Sequence, residues 1–163
     1  MHTVIPLAEA CQFGYIVYVF AKNRINTDVS QPYDFSGLRI LLVDDVETNR
    51  MVVKIFLANT NIDIHEACDG ETALNMFAES PEGYFNVVFM DIQMPGIDGF
   101  ETTRRIRGLP RHDARKAPII AMTGVAYKDM EESGLAEMNG YIAKPVDSNE
   151  IKKLLNNLLT TSD

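Results

Sequence analysis

The chain has 163 residues, of which 46% are hydrophobic and 23% charged, long enough for one soluble domain with a sizeable core and short for two. Its net charge of −8 argues against a nucleic-acid-binding face, which would need clustered Lys and Arg. Cys11 and Cys68 lack CxxC spacing and accompany only His2, His65 and His112. A disulfide framework and a zinc cluster are thereby excluded, and a reducing cytoplasm is the default expectation.

Residues 1–34 do not resemble the rest and are set apart as an extension or linker. The apolar run Phe13–Ala21, FGYIVYVFA, is well short of the roughly 20 residues that span a membrane. No basic residue precedes it as in a signal peptide, so no membrane contact is expected. Tyr15–Phe20 has strand-like aromatic and β-branched content, and Asn23–Pro32 reads as linker. An added strand, the remnant of an upstream domain and an artificial addition all fit. Such an apolar run is expected to pack on something.

Regular alternation begins at Phe35 and defines a domain over 35–163. Leu38–Val43 reads as a buried strand ending in Asp44–Asp45. A helix follows over about Glu47–Asn59, with Val52, Ile55 and Phe56 as its core stripe. Ile62 and Ile64 alternate with Asp63 and His65, as in an edge strand. Asp69 is placed to cap a second helix whose Ala73, Leu74 and Phe77 face inward. The run VVFMDIQMPGIDG (87–99) follows: four apolar residues, the carboxylate Asp91, and a turn with Met94, Pro95 and Gly96. A continuous apolar run bounded by turn residues marks a strand buried on both faces. Asp98 and Glu101 then have capping-box spacing for a third helix.

Ile119–Met122 is the fourth strand and ends at Thr123. A weaker helix is expected over about Lys128–Glu137, where Gly134 lowers propensity. Tyr141–Ala143 is a short last strand running into Lys144–Pro145. The final helix, about Ser148–Leu159, has Ile151, Leu154, Leu155, Leu158 and Leu159 on one face. Five strands alternating with five helices predict a flavodoxin-like, doubly wound parallel sheet, helices on both faces, in the order 2-1-3-4-5.

In such a sheet all strands end at one edge, where open α/β folds keep their ligands. That edge would gather Asp44, Asp45, Asp91, Thr123 and Lys144. Carboxylates held about 4 Å apart repel by about 4 kcal/mol per pair at an effective dielectric near 20. The cluster therefore calls for a cation, a proton or the lysine. Oxygen-only ligands suit Mg²⁺, or Mn²⁺, rather than zinc. A divalent ion and Lys144 would neutralise an incoming phosphoryl group, leaving Asp91 as a nucleophile able to form an acyl phosphate.

The stretches LLVDD (41–45), VVFMDIQMPGIDG (87–99), IIAMTG (119–124) and YIAKP (141–145) resemble the receiver domains of two-component response regulators. The opening DFSGLRILLVDD, with Asn49–Arg50 nearby, looks most like receivers attached to hybrid sensor histidine kinases. The resemblance spans about residues 36–160 and implies that Asp91 is the phosphoacceptor. It implies that Asp45, Asp91 and the backbone carbonyl of Gln93 hold Mg²⁺, with Asp44 contributing directly or through water. Thr123 would hydrogen-bond one phosphoryl oxygen and Lys144 pair with another. Tyr141 matches the aromatic that swings inward when Thr123 is drawn to the phosphate, and a cis peptide is usual before the proline at position 145. Gly124 departs from the usual alanine, Glu137 stands where many relatives have glycine, and Gln93 and Val125 sit at positions that tune phosphate lifetime.

The donor implied is a phosphohistidine on a histidine kinase or a histidine phosphotransfer domain, since none of the three histidines here suits the role. A receiver catalyses its own phosphorylation and dephosphorylation, and a homodimer is compatible with it. Docking is expected on the first helix, with Val46, Val53 and Leu57 as apolar surface. Output is expected from the weak fourth helix, the last strand and the last helix. Two alternatives stay open: a phosphatase of the haloacid dehalogenase type and a receiver-fold scaffold that is not phosphorylated. The former needs a second aspartate two residues after Asp91, where Gln93 stands. A nucleotide-binding module is disfavoured, since Asp44–Asp45–Val46–Glu47 replaces the glycine-rich turn.

Overall fold

The structure, a computed structural model, describes residues 33–124 and 137–160, with side chains to Leu158. Its elements are β1 (Arg39–Val43), α1 (Glu47–Leu57), β2 (Asp63–Ala67), α2 (Gly70–Glu79), β3 (Val87–Asp91) and α3 (Gly99–Arg107). After a 3-10 turn at Asp113–Arg115 come β4 (Ile119–Thr123), β5 (Gly140–Ala143) and α4 (Ser148–Thr160). The strands form one five-stranded parallel sheet in the order β2-β1-β3-β4-β5, as the alternation predicts. The helix expected over Lys128–Glu137 lies outside the described residues except for Glu137.

Side-chain alternation along the strands sends the core to both faces. Leu41, Val43, Val88 and Met90 pack with Ala73 and Phe77 of α2 and Ile106 of α3. Ile40, Leu42, Val87 and Phe89 pack with Val53 and Leu57 of α1 and Ile151 and Leu155 of α4. β3 and β4 are buried along their whole lengths. β2, at the edge, is half open, and its Ile64 leans with Ile62 on the second cluster.

The phase of α1 differs from the sequence expectation. Val52, Val53, Phe56 and Leu57 are its buried residues, while Ile55 is 38% exposed, as is Val46, and Met51 is 44% exposed. At 3.6 residues per turn, Ile55 lies about 130° around the helix from the middle of the buried stripe. Val53 and Leu57 therefore belong to the core and not to a docking surface. The exposed apolar residues here are Val46, Met51 and Ile55.

Two caps form from the expected residues. Asp69 accepts from the Thr72 amide at 2.7 Å and Asp98 from the Glu101 amide at 2.7 Å. The Glu101 carboxylate turns outward to Arg104 and Arg105 rather than back to the cap, so only half of the capping box is made. Gly99 lets α3 start against the end of β3: a Cβ there would stand 2.2 Å from the Asp91 carbonyl oxygen and 2.9 Å from the Ile92 Cα. Arg111 ties the loop after α3 to the end of α2. It donates to the carbonyls of Phe77, Ala78, Ser80 and Pro81 and pairs with Asp113.

Candidate functional site

Register explains why acidic side chains meet at the carboxyl edge. Val43 is paired with Met90 across β1 and β3, so the next residue of each strand, Asp44 and Asp91, stand side by side. Asp91 is level with Met122, and Thr123 with Ala143, which brings Thr123 and Lys144 to the same edge. The Lys144 amide donates to the Thr123 carbonyl at 2.7 Å, and the Lys144–Pro145 peptide is cis, as the resemblance implies.

Carboxylate oxygens of Asp44, Asp45 and Asp91 lie within 4.8 Å of one another. Asp44 is 1% exposed and Asp91 4%, while Asp45 is half-buried. The Lys144 ammonium reaches into the cluster and bridges Asp44 Oδ2 and Asp91 Oδ2, 2.7 Å from each. Within the cluster, among the described residues, three carboxylates face the one ammonium. Burial pushes the Asp91 carboxyl above its ordinary value and Asp44's charge adds to that, against the lowering pull of Lys144. For Lys144 burial is the largest single influence and pushes it down. The hydrogen bonds and charges of Asp44 and Asp91 together outweigh it, so the ammonium is held above its ordinary value.

The backbone supports the same groups. The Gln93 amide donates to Asp91 Oδ1 at 3.1 Å, and the Val46 amide to Asp44 Oδ1 at 2.9 Å. Thr123 is buried, and Tyr141 is 41% exposed on β5. All five charged or hydroxyl residues expected at the strand ends are thus brought together, and Gln93 stands beside them.

Three carboxylates converging on one volume, with Lys144 against them, form a donor set that fits a hard divalent cation such as Mg²⁺. Nitrogen and sulfur ligands are absent from it, which disfavours zinc. Asp45 is the most open of the three, whereas Asp44 is occupied by donors of the chain itself.

Two contributors escape the strand-end reading. Asn49 Nδ2 spans both Asp44 oxygens, at 3.0 and 3.1 Å. Arg50 Nη1 donates to the Asp44 carbonyl at 2.6 Å while its Nε meets Glu66 at 3.2 Å. The sequence marks Asn49–Arg50 only as part of the resemblance to hybrid-kinase receivers and assigns neither a contact with Asp44. An open cleft of about 550 Å³ lies at the other edge of the sheet, lined by Arg104, Arg107, Arg115 and Glu137 among others. Arg107 is spent there on the carbonyls of Ala114, Ala117 and Glu137 and on Asn139, so the cleft is a structural junction.

Comparison with known proteins agrees with this geometry. Residues 40–156 match the response regulator receiver domain family. The chain is 32% identical over 153 residues to the peroxide stress-activated histidine kinase mak3 of Schizosaccharomyces pombe, covering 90% of this chain and 6% of that protein. It is 36% identical over 142 residues to the osmosensing histidine protein kinase SLN1 of Saccharomyces cerevisiae, covering 83% of this chain and 11% of that protein. The chain thus spans a small part of these relatives. Among solved structures, the receiver domain of a sensor histidine kinase from Pseudomonas aeruginosa, with magnesium ion coordinated in its active site cleft, has a TM-score of 0.68. It is 30% identical, over 77% of this chain and 99% of that one. The chemotaxis protein CheY4 of Vibrio cholerae has a TM-score of 0.65 at 26% identity, over 74% of this chain and 98% of that one.

Proposed function

The chain belongs to the response regulator receiver domain family of two-component signalling, and we propose that it is a phosphoacceptor whose Asp91 takes a phosphoryl group from a phosphohistidine. The observation that carries this reading is the convergence of Asp44, Asp45 and Asp91 within 4.8 Å around a lysine that bridges two of them. A passive ion-pair network needs no third carboxylate, and a buried surplus of negative charge is unfavourable unless something cationic joins it.

In the proposed reaction a carboxylate oxygen of Asp91 attacks phosphorus. The P–N bond to the donor imidazole breaks, its electron pair stays on nitrogen, and an acyl phosphate remains. Water later attacks the same phosphorus, releasing inorganic phosphate and restoring the carboxylate. Asp45, Asp91 and the Gln93 carbonyl would hold Mg²⁺, with Asp44 assisting through water or directly. When bound, the ion supplies charge neutralisation between the carboxylates and the incoming phosphoryl oxygens. Lys144 hydrogen-bonds Asp91 already and is suited to pair with one phosphoryl oxygen, and the Thr123 hydroxyl to bond another. Tyr141, exposed on β5, would turn inward when Thr123 moves. Phosphorylation then biases the face formed by β5 and α4, because a ligand shifts a conformational balance only by favouring one state.

The donor is a histidine kinase or histidine phosphotransfer domain in the cytoplasm, and its helix docks on α1 over Val46, Met51 and Ile55. The receiver domain runs over 35–163, with 1–34 as its extension or linker. Incubation with acetyl phosphate and Mg²⁺ tests the reading. The wild-type chain gains one acid-labile phosphoryl group and Asp91→Asn gains none. An unmodified wild type, or an equal adduct on Asp91→Asn, would refute it.

A further inference from the structure

Asn49 occupies the first turn of α1, where asparagine is a poor choice for helix propensity. Its side chain caps nothing: the α1 N-cap, Val46, has no side-chain cap at all. The amide instead reaches five residues back and donates to both oxygens of Asp44, at 3.0 and 3.1 Å. Asp44 also accepts from the Val46 amide at 2.9 Å and from Lys144 at 2.7 Å. A carboxylate has about four lone-pair sites, so these contacts occupy most of what Asp44 offers and fix the plane of its carboxyl group. Arg50, the next residue, holds the main chain of Asp44 through its carbonyl at 2.6 Å and anchors itself on Glu66. One helical turn thus grips Asp44 by side chain and backbone together.

We propose that Asn49 is a positioning residue for the acidic site, acting through Asp44. By satisfying the Asp44 carboxylate it lets Lys144 be shared with Asp91 rather than captured by Asp44, and it keeps the Asp44 oxygens turned toward the position a divalent cation takes. The inference rests on the Mg²⁺ site proposed above. Without the amide, Asp44 keeps, among the described residues, the Val46 amide and Lys144 as donors. A buried carboxylate short of donors recovers them by rotating toward the cation within reach. Lys144 is then drawn toward Asp44, and the three carboxylates no longer converge.

Hydrogen-bond partners behind metal ligands typically carry 10–100-fold in metal affinity, and a loss of about 10-fold is expected here. The test is Mg²⁺ titration of the full chain by calorimetry, for wild type, Asn49→Ala, the near-isosteric Asn49→Leu, Asp44→Ala, and the double variant Asn49→Ala with Asp44→Ala. Alanine and leucine are better helix formers than asparagine, so the α1 turn itself is not endangered. Both Asn49 variants should bind Mg²⁺ about 10-fold more weakly than wild type.

The same double-mutant cycle is run on the urea midpoint in EDTA, which reports coupling even if Asp44→Ala binds no metal. Asn49→Ala should lower the midpoint in the wild-type background and leave it unchanged or raised in the Asp44→Ala background. Mg²⁺ affinity unchanged in Asn49→Ala overturns the proposal and leaves the Asp91 reading intact. An equal midpoint loss in both backgrounds also overturns it, because a purely structural asparagine would not act through Asp44. A wild type that binds no Mg²⁺ overturns the metal site and this inference together.

Discussion

Lys144→Met isolates the electrostatics of the site. The ammonium lies 2.7 Å from an oxygen of Asp44 and 2.7 Å from one of Asp91, and methionine keeps the length of the side chain while removing its charge. Two carboxylates at the 4.8 Å limit of the cluster repel by about 3.5 kcal/mol at an effective dielectric near 20. Breaking a buried ion pair by removing one partner costs about 3–5 kcal/mol, so the two routes agree. Lys144 is itself unfavourably buried, and its removal returns part of that, leaving about 3 kcal/mol at neutral pH. For a domain of this size that is a fall in Tm of about 10 °C.

The pH dependence has a definite sign. The Asp91 carboxyl is raised above its ordinary value of 3.8, chiefly by burial, and Lys144 opposes the rise. A raised carboxyl holds its proton more tightly folded than unfolded. Its stabilising effect is present below the unfolded value and lost as pH climbs through the folded one. Without Lys144 the folded value rises further. The variant's deficit should therefore be smaller in acid, toward the unfolded value of 3.8, than at neutral pH. Millimolar Mg²⁺ should narrow the deficit at neutral pH by supplying the missing positive charge. Urea unfolding of both proteins at acid and neutral pH, in EDTA and in MgCl₂, measures all of this. A variant as stable as wild type at neutral pH, or a deficit indifferent to both pH and Mg²⁺, would show that Lys144 does not offset the carboxylates.

Other perturbations reach the elements that support the site. Gly99→Ala forces a Cβ into the Asp91 carbonyl, at 2.2 Å before relaxation. It should cost about 3 kcal/mol or more by chemical denaturation, since backbone cannot yield like a side chain. Ile55→Asp, on the exposed side of α1, should leave stability within about 0.5 kcal/mol while slowing phosphotransfer from a histidine phosphotransfer domain in rapid-quench kinetics. Val53→Asp should unfold the protein instead. Arg111→Ala removes donors from four carbonyls and the partner of Asp113, for a loss of about 2–4 kcal/mol. Arg111 is the main cause that holds Asp113 below its ordinary value. That contribution is present above the unfolded value and lost as pH falls through the folded one, so the Arg111→Ala deficit should shrink in acid melts.

The strand ends were legible because the sheet does the assembling. Four apolar runs, each stopping at a chemically distinct residue, suffice to gather Asp44, Asp91, Thr123 and Lys144 once the strands are parallel and in register. The edge position of β2 was legible from the alternation of Ile62 and Ile64 with polar neighbours. The face of α1 was not. VVKIFL has apolar residues at five of its six positions, so composition leaves the phase of the stripe open. Packing on Ile40, Leu42 and the α4 side chains then decides it in favour of Val53 and Leu57. The roles of Asn49 and Arg111 were illegible for a different reason. Each is a polar residue whose partners are fixed by tertiary geometry: Asn49 reaches back across the β1–α1 turn, and Arg111 meets carbonyls some 30 residues earlier in the chain.

The proposed chemistry turns the Asp91 carboxylate into an acyl phosphate. After acetyl phosphate and Mg²⁺, borohydride reduction converts such an acyl phosphate to an alcohol, turning the phosphorylated aspartate into homoserine, and peptide mass spectrometry then maps the change. Reduction at residue 91 alone, lost when EDTA replaces Mg²⁺, is the predicted result. Homoserine at Asp44 or Asp45 instead, or at no position, would rule out Asp91 as the phosphoacceptor.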